Sequence, residues 1–424
     1  MTSADFTPLS QFVRYAQKRF DLPWLAGAFT DSRPDPQIPS RAVWLSLVLG
    51  EVVQIPSLLQ LEAETRTGQW QRWVGYRAPI SHDTLGYVAE RLDPAQLRRA
   101  HRWIQRRLKR GKAFEASKVH GLLVVSLDAN EQFCSEHRCC ADCRTREVSC
   151  LDAEGQPCKK LQYYHQQVYA QLSGPGLSVI LDFEPLRAGE EECAAALRLL
   201  RRMRREYGPR FFDLVVVDAW YANGPFVRAV VEELGWPVIA VLKQECREIY
   251  QEVRALTAGQ APTQVVERDG RRVALWEVRA LRFTDTYPGP VRVVQVQEHW
   301  TERHRVGPDW KHQAKAQHWI WVVAGELDGY DAAAIRDWGH LRWKVENNAF
   351  GELTQHWHLT HCAHHQPVAV VALLWIKLIA FTLFRAFAIL HGKRFRLGQV
   401  TLNEVRKQIY RSLFWGEPIL LFSG

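Results

Sequence analysis

Two apolar runs of the same form govern the reading of this chain. Residues 121–128 (Gly-Leu-Leu-Val-Val-Ser-Leu-Asp) and 214–218 (Leu-Val-Val-Val-Asp) are almost wholly aliphatic and close on an aspartate. Strands apolar on both faces belong in the middle of a sheet covered on both sides. Both runs therefore predict central strands, and each predicts a carboxylate at its strand end, where open α/β sheets carry their sites. Two acids brought to one sheet edge repel, and both stay ionised when cations lie between them. Either aspartate alone is also an ordinary turn residue, so the turn reading stays open for each; the matched pair points to metal binding.

The remaining pattern places these strands in a fold. Residues 163–172 and 177–184 read as two further strands, 190–207 as a helix, 226–234 as a second helix after a break at Tyr221-Ala222-Asn223-Gly224-Pro225, and 237–243 as a fifth strand. Three strands followed by alternating helix and strand is the pattern of an RNase H-like fold. Residues 264–325 then alternate with period two, with Asp269-Gly270 as a hairpin turn signal. Residues 41–61 have helical spacing, and Ser81-His82-Asp83-Thr84 supplies capping residues. In 337–350, Trp338, Arg342, Glu346 and Phe350 fall on one helical face. Gly339, which costs about 1 kcal/mol inside a helix, marks a bend. The apolar segment 368–390 is interrupted by Lys377 and Arg385 and reads as a buried helix, not a membrane span. The expected fold class is α/β: an RNase H-like mixed sheet flanked by helices, with a helical N-terminal domain and a β-rich insertion. The expected divisions are 1–118 (helical, DNA-binding), 119–260 (catalytic, first part), 261–325 (insertion), 326–393 (catalytic, second part) and 394–424 (basic tail).

Charge adds a partner. The chain of 424 residues carries a formal net charge of +9, which favours a polyanion such as nucleic acid. Residues 97–110 concentrate this charge in Arg98, Arg99, Arg102, Arg106, Arg107, Lys109 and Arg110, with no acid from Gln96 to Lys112. A phosphate-contacting helix and a solvated basic face both fit such a run. The insertion adds Arg303, His304, Arg305, Lys311, His312 and Lys315 among tryptophans, of which the chain has 17; tryptophans serve either as core or as stacking platforms for bases.

The nine cysteines are an odd count, and residues 1–6 lack the basic head and apolar stretch of a secretory signal. Reduced thiols in a cytosol are expected. Cys140 and Cys143 have zinc-knuckle spacing, with Cys150, Cys158, His137 or His165 as possible further ligands of a structural zinc. Unligated thiols in a hairpin loop are the alternative. The histidines of 356–365 admit a surface or packing role, a phosphate contact or a metal site.

Asp128, Asp218 and Glu346, in this order and setting, resemble the catalytic acids of the DDE transposases of bacterial insertion sequences. The likeness is to the branch with a β insertion before the Glu and an Arg four residues ahead of it. Val217-Asp218-Ala219-Trp220-Tyr221-Ala222-Asn223-Gly224-Pro225-Phe226 is similar to the second-Asp motif, and Arg342-Trp343-Lys344-Val345-Glu346-Asn347-Asn348 to the Glu-helix motif. Ile55-Pro56-Ser57-Leu58-Leu59-Gln60-Leu61 and Tyr163-Tyr164-His165-Gln166 are also similar to members. The resemblance implies metal-dependent cut-and-paste cleavage and strand transfer at terminal inverted repeats. It implies two Mg²⁺ (or Mn²⁺) ions per site, held by Asp128, Asp218 and Glu346. Arg342 is expected on a phosphate near the cut, and a flipped base on a tryptophan of the insertion, from Trp276, Trp300, Trp319 and Trp321, with Trp319 and Trp321 singled out. The expected partners are double-stranded repeat and target DNA and a second copy in the DNA complex, with no membrane, in a bacterial cytoplasm at the nucleoid.

Two places depart from the family signature: its Tyr is Gly339 here, and its Lys is Leu353 or Thr354. Trp338 or His340 is the expected replacement for the first, and His356 or His358 for the second, as a phosphate contact. A structure-specific nuclease on the same fold, or a DNA-binding derivative that no longer cuts, are the rival readings. Strand transfer separates the first from a transposase, and three acids in register separate the second.

Overall fold

The computed structural model describes residues 7–415 except 28, 153, 244–246, 307–308 and 344, and it does not describe the side chains of 23, 306, 346–348, 394, 414 and 415. Ten strands form one sheet: β1 (Val124–Ser135), β2 (Arg144–Leu151), β3 (Pro157–Ser173), β4 (Val179–Pro185), β5 (Leu214–Val217), β6 (Val238–Val241), β7 (Gln264–Arg268), β8 (Arg271–Arg282), β9 (Pro290–Val306) and β10 (Asp309–Ala324). The order is β2-β3-β1-β5-β6-β10-β9-β8-β7, with β4 also on β3. β1, β3 and β4 run antiparallel in turn, and β5 and β6 add parallel to β1. This is the RNase H-like arrangement expected from the strand pattern.

The aliphatic runs are central because both their faces are covered. Val125, Leu127, Val215, Val217 and Ala240 enter one core, and Val124, Leu214, Val216, Ile239 and Val241 enter the other. The first core also holds the apolar helix Pro367–Leu390 and the N-terminal helices; the second holds Ile335, Trp338 and Leu341. Helix Pro367–Leu390 is long and apolar enough to cross a membrane, yet 83% of its apolar window is buried inside the protein. Lys377 reaches both Glu51 carboxylate oxygens at 2.8 Å, and Arg385 pairs with Glu352. Both cations that interrupt the apolar run are thus matched by acids.

Several elements differ from the sequence pattern. β1 does not end on Asp128 but continues to Ser135, paired with β3; what ends near the aspartate is its parallel ladder to β5, at Ser126↔Val216. The segment 41–61 is two helices, Ser40–Val52 and Leu58–Thr65, since Pro56 cannot donate the helical N–H. The segment 337–350 is also divided. Helix Ala332–Gly339 tightens into a 3-10 turn at His340–Arg342 and widens into a π turn at Val345–Phe350. Within the expected basic tail, Leu402–Trp415 is a helix packed on Pro8–Phe20, and its Arg406 is buried.

The insertion is not a separate body, because β10 pairs antiparallel with β6 and extends the catalytic sheet. A buried carboxylate joins it to the helix beyond. Glu298 in β9 is fully enclosed, and it accepts from Arg336 Nε and Arg271 Nη1 and meets His340 Nε2, each at 2.7 Å. Burial opposes its charge, but the hydrogen bonds from His340 and Arg336 and the nearby cations outweigh that and hold Glu298 far below the usual carboxylate range. Arg336 keeps Asp337 at 3.0 Å, and Arg271 and His340 are partly exposed, so losing the Glu298 charge costs toward the lower end of the roughly 3–5 kcal/mol for breaking a buried pair. Glu298→Gln should therefore lower the urea midpoint strongly; an unchanged midpoint would show the cluster to be dispensable.

The basic helix Pro94–Arg110 turns His101 inward against Thr382, with Nε2 and Oγ1 2.9 Å apart. Burial lowers its pKa to about 3. In the unfolded chain it protonates near 6.5, so between those limits the unfolded state binds the extra proton. Stability is then complete above about pH 6.5 and falls with pH, by about 1.4 kcal/mol per unit from this group. His101→Gln should flatten the decline between pH 6.5 and pH 4 in urea titrations, whatever its effect at neutral pH.

Candidate functional site

Strand register brings the two aspartates together. β1 and β5 pair Val124 with Leu214, Val125 with Val215 and Ser126 with Val216. Continued for two residues, the same offset sets Asp128 level with Asp218. Alternate residues of a strand share a face, so Asp128 follows Val124 and Ser126, and Asp218 follows Leu214 and Val216, toward the core of Trp338 and Leu341. The backbone at Asp218 is still extended.

Each acid also does a local task. The Asp218 Oδ1 accepts the Trp220 N–H at 2.8 Å, and the Asp128 Oδ1 accepts the Ala129 N–H at 2.9 Å. Asp218 thus fills the turn role expected of it. Tyr221 is buried behind both, its hydroxyl donating to Glu192 Oε1 at 2.5 Å. Burial, then Glu192, and then Asp128 and Asp218 push the Tyr221 hydroxyl well above its usual range, so it stays protonated. Burial raises the pKa of Glu192, opposed by the Tyr221 bond and reinforced by Asp218. Sequence reasoning missed Glu192 as a neighbour of the site; an acid in the first turn of a helix gives no sign of where that helix docks.

The third acid lies in the π turn Val345–Phe350. The side chain of Glu346 lies outside the described residues, so its carboxylate is not placed here. The turn before it is docked on β1: Ser126 Oγ donates to Leu341 O at 3.4 Å, and Arg342, almost wholly buried, lies with Nη1 3.8 Å from Asp128 Oδ2. Arg342 therefore faces the first acid, where a phosphate contact was expected.

Gly339 has a steric cause. A Cβ there would lie 2.5 Å from Cε2 and Nε1 of Trp321, a distance that real Cβ atoms do not reach. The indole of Trp321 occupies the place a tyrosine would need. Around it pack Trp319 and His340, and Trp343 packs on both of these, with the Trp319 and Trp343 rings 4.1 Å apart. Trp321 is fully buried, which corrects its expected role as a stacking surface for a base. Trp319 is half-buried in the same nest. Trp220, next to Asp218, is instead 58% exposed.

The basic run is also corrected in part. Arg102 pairs with Glu206, Arg98 lies 3.8 Å from the same carboxylate, and Arg106 donates to Glu206 O. Lys109 donates to Arg210 O and Phe211 O at 2.5 and 2.6 Å. These cations sit at the C-terminal end of helix Glu192–Glu206 and beyond it, where unpaired carbonyls and the helix dipole favour positive charge. Arg99, Arg107 and Arg110 remain on the exposed side. His356 presents its carbonyl to Arg406. His358 lines a small cavity with Glu51 and Lys377, and burial followed by Lys377 holds it below the usual histidine range. That favours the neutral form of His358.

Cys140 and Cys143 do gather further ligand types, but only His165 of the four expected. Cys150 and Cys158 instead face one another across β2 and β3, with sulfurs 2.8 Å apart.

A family profile described as a transposase DDE domain matches residues 145–383. It spans Asp218 and Glu346 and begins beyond Asp128, whose place rests on the strand register. Comparison with curated proteins found no match. Among solved structures, the chain is similar to a piggyBac transposase, in a cryo-EM structure of its synaptic complex with hairpin DNA. The TM-score is 0.44 and the identity 11%, over 97% of this chain and 81% of that one.

If Trp321 is why residue 339 has no side chain, Gly339→Tyr should destabilise the protein by at least the roughly 1–3 kcal/mol typical of overpacking. Adding Trp321→Ala should recover part of that loss. Urea midpoints of the two single variants and the double variant check this; simple additivity would refute it.

Proposed function

The chain belongs to the transposase DDE domain family, and we propose that it cuts double-stranded DNA at the terminal inverted repeats of a bacterial insertion sequence and joins the ends to a target. The observation that carries this reading is the level placement of Asp128 and Asp218 on adjacent parallel strands, with Arg342 against Asp128. The donor set fits hard divalent cations. Carboxylate oxygens suit Mg²⁺ or Mn²⁺, and Asp128 and Asp218 both lie near enough to Tyr221 to help raise its hydroxyl. Asp128 and Asp218 would hold two such ions, with Glu346 as a further ligand. When bound, the ions would activate the attacking oxygen and stabilise the leaving one.

The chain's own residues supply the frame. Arg342 steadies Asp128. Glu192 and Tyr221 back the acids from the buried side. Trp220 offers an exposed ring for an unpaired base beside Asp218, in place of Trp321. The end of the β9–β10 hairpin supplies the DNA surface. Its residues 301–305 and 309–314 are exposed at every described position and include Arg303, His304, Arg305, Lys311 and His312. A two-stranded ribbon with no core of its own is marginal in water and suits a nucleic-acid groove. The protein would act as a homodimer on DNA, at the nucleoid in the cytoplasm.

Asp128→Ala and Asp218→Ala should each reduce cleavage of repeat DNA by more than about 100-fold, the upper range for losing even a support of a metal ligand. Binding should stay equal or tighten, since removing negative charge lessens repulsion with phosphate. Retained cleavage would end this reading, and free ends that are never joined to a target would leave a nuclease. Replacing Arg303, Arg305 and Lys311 by glutamine should make the slope of log affinity against log salt shallower by about 2–3. Replacing Arg102 and Lys109 should lower stability instead. An unchanged slope in the hairpin variant would remove the hairpin from the DNA surface.

A further inference from the structure

Away from the carboxylates, four side chains from three separate segments converge on one point. Cys140 and Cys143 stand in the connection between β1 and β2, His165 is in β3, and His365 precedes helix Pro367–Leu390. The two sulfurs are 3.7 Å apart. Sulfur to imidazole Nε2 is 3.3 Å for Cys140–His165, 3.5 Å for Cys143–His165 and 3.4 Å for Cys143–His365. The two Nε2 atoms are 3.4 Å apart, and all four atoms lie within 4.8 Å of one another. A tetrahedral zinc with Zn–S of about 2.3 Å and Zn–N of about 2.0–2.1 Å spaces its ligands about 3.8 Å (S to S), 3.5 Å (S to N) and 3.3 Å (N to N). These five separations match those edges within a few tenths of an ångström.

Hydrogen bonding alone does not account for the arrangement. Two thiols and two Nε2 atoms carry at most four protons, which cannot serve five mutual contacts, and two protonated Nε2 atoms facing each other repel. The surroundings prepare the atoms as ligands. The Cys140 N–H donates to the Cys143 sulfur at 3.3 Å and helps fix its position. Phe133, paired with His165 across the β1–β3 ladder, packs on the His365 ring at 4.5 Å and helps orient it.

We propose that Cys140, Cys143, His165 and His365 bind a structural zinc ion that fastens the segment following the Glu346 turn to β3 and to the connection between β1 and β2. Two sulfurs and two nitrogens in a tetrahedron select zinc over the hard cations suited to the aspartates. Four protein ligands leave no open position, which makes the site structural, not catalytic. The fastened segment is short and polar. On its other side His364 Nε2 pairs with Glu90 at 2.7 Å in the helical region. The zinc would thus tie the helical region, the end of the Glu346 segment and the sheet into one frame.

The test needs no DNA, so it stands or falls apart from the transposase reading. Tag-free full-length chain purified without chelators should contain about one zinc per chain by elemental mass spectrometry. Cobalt substitution should give the intense visible absorption of a tetrahedral thiolate site. Cys143→Ser and His365→Ala should lose the metal, whereas His365→Cys should keep it, because a thiolate can replace the imidazole. Chelation should lower the thermal midpoint, and added zinc should restore it where magnesium does not. A folded wild-type chain that binds neither zinc nor cobalt stoichiometrically overturns the proposal, and so does zinc retained at full occupancy in the Cys143→Ser and His365→Ala variants. If those variants do not fold, cobalt titration of the wild-type chain and the metal content of His365→Cys decide.

Discussion

The parallel pairing of β1 with β5 is the constraint on which the site depends. One register sets Asp128 level with Asp218 and sends both side chains to the same face. A slip by one residue would turn either acid toward the opposite core. That slip is opposed by Val124, Val125 and Leu127 of β1 and by residues 214–217 of β5, all fully buried on the two faces. The rigidity of the sheet therefore comes from aliphatic packing, and the acids depend on it. Their mutual repulsion is partly offset by the buried Arg342 guanidinium. Behind them a Tyr221–Glu192 pair fills the space with a protonated hydroxyl.

The second constraint is the seating of the segment that carries Glu346. It lacks a continuous helix, and tertiary contacts define its course. Trp338 Nε1 donates to Val119 O at 2.9 Å at the entry to β1, and Gly339 lets the Trp321 indole close over the backbone. Glu298 then binds Arg336 and His340 on either side of that contact. The insertion thus braces the segment that carries Glu346. Replacing a tyrosine place by glycine looks like a loss along the chain, but in space the volume is filled by Trp321.

Charge is divided between two uses that look alike in one dimension. The arginines and lysine of helix Pro94–Arg110 partly satisfy the carboxylate and carbonyls at the end of a neighbouring helix. Those of the β9–β10 hairpin project where no core lies behind them. Arg99, Arg107 and Arg110 of the helix share that exposure, whereas Arg102 and Lys109 are taken up by internal partners.

The sequence by itself determined the central strands, the two aspartates, the β-rich insertion and the burial of residues 368–390. Each follows from periodicity and local chemistry: aliphatic runs too apolar for an edge, alternation with a Asp269-Gly270 turn, and two cations too few to make an apolar helix soluble alone. It also marked Cys140 and Cys143 as a pair with zinc-knuckle spacing. Tertiary structure decided the rest, because each case turns on partners distant along the chain. His165 and His365 come from segments 200 residues apart, and no spacing rule covers such a set. Glu192 reaches the acids only through Tyr221, Trp321 is core because Gly339 admits it, and Lys109 is occupied because Phe211 ends nearby. Period and composition show which residues must be buried or charged; only packing settles what each one meets.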